Sequence, residues 1–212
     1  MKTTQNTILD EINILKNPNT ETMVFRYLLA SSYCKNKIVA DCSCGYGYGS
    51  AILQSLGAKE VHGYDIDKTA LNFAKQKFTQ CEFREFNLIE PSDIGAMYDT
   101  VVSIETFEHL PKDKIEVYLN NLKNKCIKGG KIFITTPRRL TPKWHYNGGT
   151  HLYEYNVDEF KEEINKVFPN SLINLFGIKE ERIGEYNQLI SVLTDDIDFA
   201  RIMCAVIEVD KN

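Results

Sequence analysis

Between residues 103 and 111 the chain reads "SIETFEHLP", which sets Glu105, Glu108 and His109 at positions i, i+3 and i+4. On a helical turn that begins at a strand end, this spacing puts the three side chains on one face. Two carboxylates and an imidazole suit a divalent ion such as Mg2+, Mn2+, Fe2+ or Zn2+. They equally suit proton transfer, with His109 as base and Glu105 or Glu108 orienting it. A plainer structural alternative has Glu108 solvated and His109 capping a helix against Pro111. Further along, His151 in "THLYEYNVDEF" either belongs to the same group or stabilises the loop before a helix.

A second stretch with chemical content is "IVADCSCGYGYGSAIL", residues 38–53, with Gly45, Gly47 and Gly49 at every second position after a short apolar run. Glycines after a strand let a ligand approach the backbone N–H groups. A phosphate loop needs Lys-Ser or Lys-Thr after its last glycine, and none is present. The dinucleotide fingerprint G-x-G-x-x-G has a different spacing. Asp65, in "GYDID", stands about 20 residues beyond the glycines, where a carboxylate can accept hydrogen bonds from two ribose hydroxyls. Together these features point to an adenosine-containing ligand with no pyrophosphate at the loop. The structural alternative is that the glycines only turn the chain and Asp65 only caps the next helix.

The surrounding elements alternate. Apolar, β-branched runs at "KIVADCS", "EVHGYDI", "CEFREFNL", "YDTVVSIE" and "GKIFITTP" read as strands, and the segments between them have helical periodicity. Strand–helix alternation implies right-handed crossovers and a parallel sheet covered on both faces. The expected fold is α/β: a Rossmann-like, doubly wound, seven-stranded sheet, mostly parallel, with the last two strands ("SLINLFGIKEE" and "RIMCAVIEVD") forming an antiparallel hairpin at one edge. Residues 1–212 read as a single domain. Residues 1–35 form a helical lead-in, with a short helix at 7–15 and another at 21–32 capped by Asn19 or Thr20. The connection 137–155, carrying Trp144, His145, Tyr146, Tyr153 and Tyr155, would cover an acceptor site or simply pack onto the sheet.

A chain of 212 residues with 43% hydrophobic and 25% charged residues has the balance of a globular protein. Its net charge of −4 and scattered Lys and Arg argue against long nucleic acid as a partner. No run approaches the roughly 18 apolar residues of a membrane span, and the polar start lacks a secretory signal, so a cytoplasmic location is expected. The six dispersed cysteines read as buried thiols in a reducing compartment, with Cys42 and Cys44 pointing the same way from one strand. No feature fixes an oligomeric state.

The run D-x-x-C-G-x-G-x-G, followed by "GYDID", "YDTVVSIETFEHL" and "KGGKIFITTP", resembles the class I S-adenosylmethionine-dependent methyltransferases over roughly residues 25–165. The resemblance implies S-adenosyl-L-methionine as cofactor. Asp41, Cys44, Gly45, Tyr46 and Gly47 would lie at its methionine part, Asp65 at the ribose and Ile66 against the adenine. Asn87 stands where many members have an aspartate for the adenine amino group, with Leu88 and Ser103 also lining the site. "FRYLLA" resembles the lead-in helix of a subgroup, which implies Arg26 and Tyr27 over the cofactor's carboxylate. E-x-x-E-H with H-x-[FY]-E-[WY]-x-x-[DE]-x-F is similar to metal-dependent terminal 2′-O-methyltransferases of small RNAs, implying Glu105, Glu108, His109 and His151 as ligands of Mg2+, Mn2+ or Fe2+. The same segments resemble a broader subgroup of small-molecule O-methyltransferases.

An alcohol is a poor nucleophile at neutral pH and needs a base or a metal, whereas an amine needs less help. A Glu/His cluster therefore favours a hydroxyl on a small-molecule acceptor: a sugar, a glycan precursor or a phenolic metabolite. The alternatives are a small-RNA terminal 2′-O-methyltransferase and a non-catalytic cofactor-binding subunit. A nicotinamide-dependent oxidoreductase is disfavoured by the loop spacing and the absence of a Y-x-x-x-K pair.

Overall fold

The computed structural model describes residues 18–92, 97–140, 150–183 and 188–210. The helix expected at 7–15 and the aromatic candidates Trp144, His145 and Tyr146 lie outside the described residues.

Helix α1 (Pro18–Ser31) leads into β1 (Ile38–Cys42), α2 (Tyr48–Ser55), β2 (Glu60–Asp65), α3 (Lys68–Lys77) and β3 (Glu82–Glu85). Next come β4 (Tyr98–Ile104), α4 (Ile115–Lys125), β5 (Cys126–Pro137), α5 (Val157–Val167), β6 (Leu172–Ile183), β7 (Gln188–Thr194) and β8 (Ile202–Glu208). One sheet runs in the order β3-β2-β1-β4-β5-β8-β6-β7. Strands β1 to β5 pair in parallel, and β8 pairs antiparallel with both β5 and β6. The order reverses between β1 and β4, the place where open α/β sheets bind ligands beyond their strand ends.

Successive residues of the central strands feed opposite layers, as the pleat requires. Val101, Ile132, Ile134, Ala205 and Ile207 pack with Tyr118, Leu119, Phe160 and Ile164 of α4 and α5. Their neighbours Val102, Phe133 and Val206 pack with Tyr27, Ala30, Leu53 and Leu71 of α1, α2 and α3. This double coverage explains why the strands read as almost continuous apolar runs. Asp67 caps α3 by accepting from Thr69 N at 2.7 Å and Ala70 N at 3.1 Å. Asn156 and Glu159 close a capping box at the start of α5.

Four local expectations change. Among the described residues the sheet has eight strands, because Gln188–Thr194 is a strand that pairs with β6 and takes the edge. An edge strand needs no clean buried face, and Val192 and Leu193 are both well exposed. The two expected carboxyl-terminal strands, β6 and β8, do pair antiparallel, but β8 lies inside the sheet. Helix α1 begins at Pro18, a residue favoured in a first turn, so Asn19 and Thr20 lie within the helix instead of capping it. Cys42 and Cys44 do not point together: Ser43 takes a left-handed backbone (φ 66°), so Cys42 joins the α4/α5 layer and Cys44 the opposite one. All six cysteines are free and buried.

Candidate active site

At the end of β1 the left-handed turn at Ser43 lets Ser43 N and Cys44 N both donate to Tyr64 O, at 2.7 and 3.0 Å. This fixes the glycine loop against β2. Gly45 is left-handed (φ 52°), and a Cβ there would meet nothing within 4 Å among the described residues, so the loop is open to a ligand on that side. Gly47 is the left-handed residue before α2. Gly49 has a different reason to be glycine: a Cβ would sit 1.9 Å from the Tyr27 ring. Asp65 accepts from Gly45 N at 2.8 Å and from Asp67 N at 2.9 Å, one bond to each oxygen. An ionised carboxylate has about four acceptor positions, so two remain for hydroxyls. The helix-capping role weighed for Asp65 belongs to Asp67.

Asp41 is fully buried beneath this loop and accepts from Tyr27 Oη at 3.1 Å and Ser50 Oγ at 2.6 Å. Burial raises its carboxyl to about 6, against the lowering effect of those two hydroxyls. Ile66 and Tyr46 leave large side chains 60% and 51% exposed at the same rim. Asn87 Oδ1 accepts from Ile89 N at 3.2 Å, and Asn121 Nδ2 holds the segment by donating to Leu88 O and Glu90 O. The buried side chain of Leu88 packs in the core. Two implied cofactor residues turn their side chains inward. Ser103 Oγ accepts from Tyr118 Oη at 2.9 Å and donates to Thr106 Oγ1, and Cys44 Sγ packs towards Gly63. Arg26 Nη2 lies 3.6 Å from Glu105 Oε2 and 3.7 Å from Glu180 Oε1, so its charge is directed to two carboxylates of the chain itself.

After β4 the helical turn begins only at Phe107, as a single 3-10 turn Phe107–His109. Glu105 precedes it with a left-handed backbone (φ 51°) and therefore does not share the face of Glu108 and His109. Its carboxylate accepts from Thr135 Oγ1 at 2.9 Å; burial raises its pKa. Phe107 is buried edge-on against Tyr118, Tyr155 and Phe160, with ring centroids 4.8–5.7 Å apart. Such a cluster anchors the turn strongly, since each aromatic pair adds roughly 0.5–1.5 kcal/mol beyond its buried area. Tyr155, expected as a wall of the acceptor site, is fully buried in this cluster and works as packing. Leu152 N and Tyr153 N donate to Glu108 O at 2.7 and 3.1 Å, which draws the His151 segment onto the turn.

The result brings Glu108, His109 and His151 together, with one ligating atom from each within 4.8 Å of the others. His109 Nδ1 lies 3.0 Å from Thr150 O, which can only accept, so Nδ1 carries the proton and Nε2 of the neutral ring is bare. His151 Nδ1 lies 2.9 Å from Glu154 Oε1, and an ionised carboxylate fixes the same tautomer. The two Nε2 atoms stand 3.7 and 4.0 Å from Glu108 Oε1, a buried oxygen with no hydrogen-bond partner among the described residues. With Glu108 ionised and both rings neutral, three lone-pair atoms converge, each imidazole backed by an oxygen, which is how metal-ligating histidines are held. The donor set fits a divalent cation. In its absence burial, and then the charge of Glu105, raises the Glu108 carboxyl to about 8.

Sequence reasoning gave no role to Ser50, Thr135, Thr136 or Glu154. Thr136 Oγ1 donates to Glu108 Oε2 at 3.0 Å, as Thr135 does to Glu105. The available signal was two adjacent hydroxyls at the carboxyl end of an otherwise apolar strand. His62, left without a role, bonds Tyr98 Oη at 2.8 Å inside the sheet.

Residues 39–130 match a family described as a methyltransferase domain. A Mycolicibacterium smegmatis protein named a probable S-adenosylmethionine-dependent methyltransferase is 28% identical over 108 residues, 51% of this chain and 41% of that protein. Magnesium-protoporphyrin O-methyltransferase of Synechocystis is 27% identical over 107 residues, 49% of this chain and 46% of that protein. The chain spans less than half the length of the curated relatives it matches. A crystal structure of a TehB-like methyltransferase from Corynebacterium glutamicum shares the fold, with a TM-score of 0.65 and 17% identity over 97% of both chains. Residues 39–130 are thus similar to a methyltransferase domain, and the fold is that of solved S-adenosylmethionine-dependent methyltransferases. Among the described residues no helix is long and apolar enough to cross a membrane.

Proposed function

We propose that the chain methylates a hydroxyl of a small molecule, such as a sugar, a glycan precursor or a phenolic metabolite, in the cytoplasm. The observation that carries this reading is the buried Glu108 Oε1, without a hydrogen-bond partner among the described residues, facing two imidazole nitrogens. Such a group is suited to an acceptor that must lose a proton, and an amine acceptor needs less help. The O-methyltransferase name of the Synechocystis relative supports oxygen as the acceptor atom.

The donor's sulfonium supplies an electrophilic methyl group. A divalent ion of the Mg2+, Mn2+ or Fe2+ type, held by Glu108, His109 and His151, supplies acidification of a bound hydroxyl. Asp65 holds the ribose diol, and Gly45 leaves room for the methionine part. Where the group works without an ion, His109 Nε2 takes the hydroxyl proton while Thr150 O keeps Nδ1 protonated. Methyl transfer to the hydroxyl oxygen would leave its proton on His109 and the donor's sulfur as a neutral thioether.

The test is incubation with methyl-labelled donor and matched panels of hydroxylated and amino acceptors. Label is expected in the hydroxyl compounds, and Glu108→Gln and His109→Ala are each expected to lower turnover by about 100-fold or more. Label in amines alone, or unchanged turnover in both variants, contradicts the proposal.

A second reading, an RNA-terminal 2′-O-methyltransferase, is favoured by the same three residues, since a terminal ribose presents a hydroxyl of equal chemistry to the H-x-Y-E segment. Competition by short RNA against small acceptors selects this reading, and its absence removes it.

A further inference from the structure

Glu105 stands three residues before Glu108 yet is kept out of the group formed by Glu108, His109 and His151. Its left-handed backbone (φ 51°) turns the side chain off the line of β4. Glu105 N donates to Thr135 O at 3.1 Å, and Thr135 Oγ1 donates to Glu105 Oε1 at 2.9 Å. The other oxygen, Oε2, faces Arg26 Nη2 at 3.6 Å. Arg26 is itself buried, with Nη1 donating to Thr22 Oγ1 at 3.4 Å. Glu180 of β6 lies 3.7 Å from Arg26 on one oxygen and 3.9 Å from Arg201 Nε on the other. Charges therefore alternate from the end of β4 through α1 to β6: Glu105, Arg26, Glu180, Arg201.

We infer that Arg26, steadied by Glu180, is a positioning residue that withholds Glu105 from the Glu108–His109–His151 group and thereby makes that group select a borderline divalent ion over Mg2+. The inference rests on the reading of those three residues as a metal site. The chemistry is that of the donor set. One carboxylate and two imidazoles suit Co2+, Fe2+, Zn2+ or Mn2+, whereas Mg2+ takes oxygen ligands and binds imidazole poorly. Releasing Glu105 adds a second carboxylate beside the first, which favours the harder ion.

Calorimetric titration with CoCl2 and with MgCl2, checked by the visible absorption of bound Co2+, tests this without any turnover. Wild type is expected to bind Co2+ at least about tenfold tighter than Mg2+. Arg26→Met is expected to narrow that ratio by about tenfold, the scale on which partners of a metal's ligands act. Arg26→Lys keeps the ratio, and Arg26→Met combined with Glu105→Gln restores it, because the effect runs through Glu105. If Arg26→Met does not fold, Thr135→Val loosens Glu105 without uncovering a charge and is expected to move the ratio the same way. An unchanged ratio in Arg26→Met or Thr135→Val, or a narrowed ratio that persists in the double variant, overturns the inference. Absence of Co2+ binding to folded wild type instead removes the metal reading itself, and the inference with it.

Discussion

Asp41 shows how a single residue ties the donor loop to the stability of the whole fold. Its carboxyl titrates at about 6 in the folded protein against 3.8 ordinarily, because it is buried. Below about pH 4 both folded and unfolded chains hold the proton, and above 6 neither does. Between these limits only the folded chain holds it, so stability falls as pH rises from 4 to 6, by about 3 kcal/mol in all. Urea unfolding of the donor-free protein at pH 4, 5, 6 and 7 is expected to show a steeper fall in wild type than in Asp41→Asn, where only the buried Glu105 and Glu108 carboxyls contribute; parallel profiles contradict it. At the same scale, residue types and spacing made Glu108, His109 and His151 legible as one group. Glu105 was not separable from them, since a left-handed backbone at a glutamate leaves no mark in sequence. Nor could Thr135, Thr136 and Glu154 be found without knowing which residues they face.

The elements were legible wherever both faces of a strand are buried or a cap is built from sequence-adjacent groups, as at β4 and at the Asn156–Glu159 box. They were less so where the edge of the sheet allows exposed apolar residues, which is why β7 was missed. The 3-10 turn Phe107–His109 is placed by an aromatic cluster drawn from α4 and α5, a set of contacts remote in sequence. Gly49 illustrates a residue read as part of a ligand loop that is required by packing between α1 and α2. Gly49→Ala drives a methyl into the Tyr27 ring and is expected to cost about 1–3 kcal/mol of stability, the usual range for overpacking. It also displaces Tyr27 from Asp41. A thermal melt equal to that of wild type contradicts this account of the third glycine.

Across the molecule, the strand order puts the ends of β1, β2 and β4 side by side at the reversal point, so residues 41, 45, 65 and 105–109 meet although they are far apart in sequence. Alternation of strands and helices was enough to predict that meeting. It was not enough to place β8 inside the sheet, because an antiparallel strand carries no crossover helix to announce its position. The long connection brings His151 to the same edge through the bonds from Leu152 and Tyr153 to Glu108 O. The central claim is that the open space beside Gly45 and Asp65 receives S-adenosylmethionine or its demethylated product. The most direct measurement is calorimetric titration of the chain with S-adenosylhomocysteine, alongside Asp65→Ala. One-to-one binding is expected in wild type, weakened by about tenfold or more in the variant, which loses two ribose hydrogen bonds of roughly 0.5–1.5 kcal/mol each or more to the charged group. No heat of binding in folded wild type, or equal affinity in Asp65→Ala, would contradict the account.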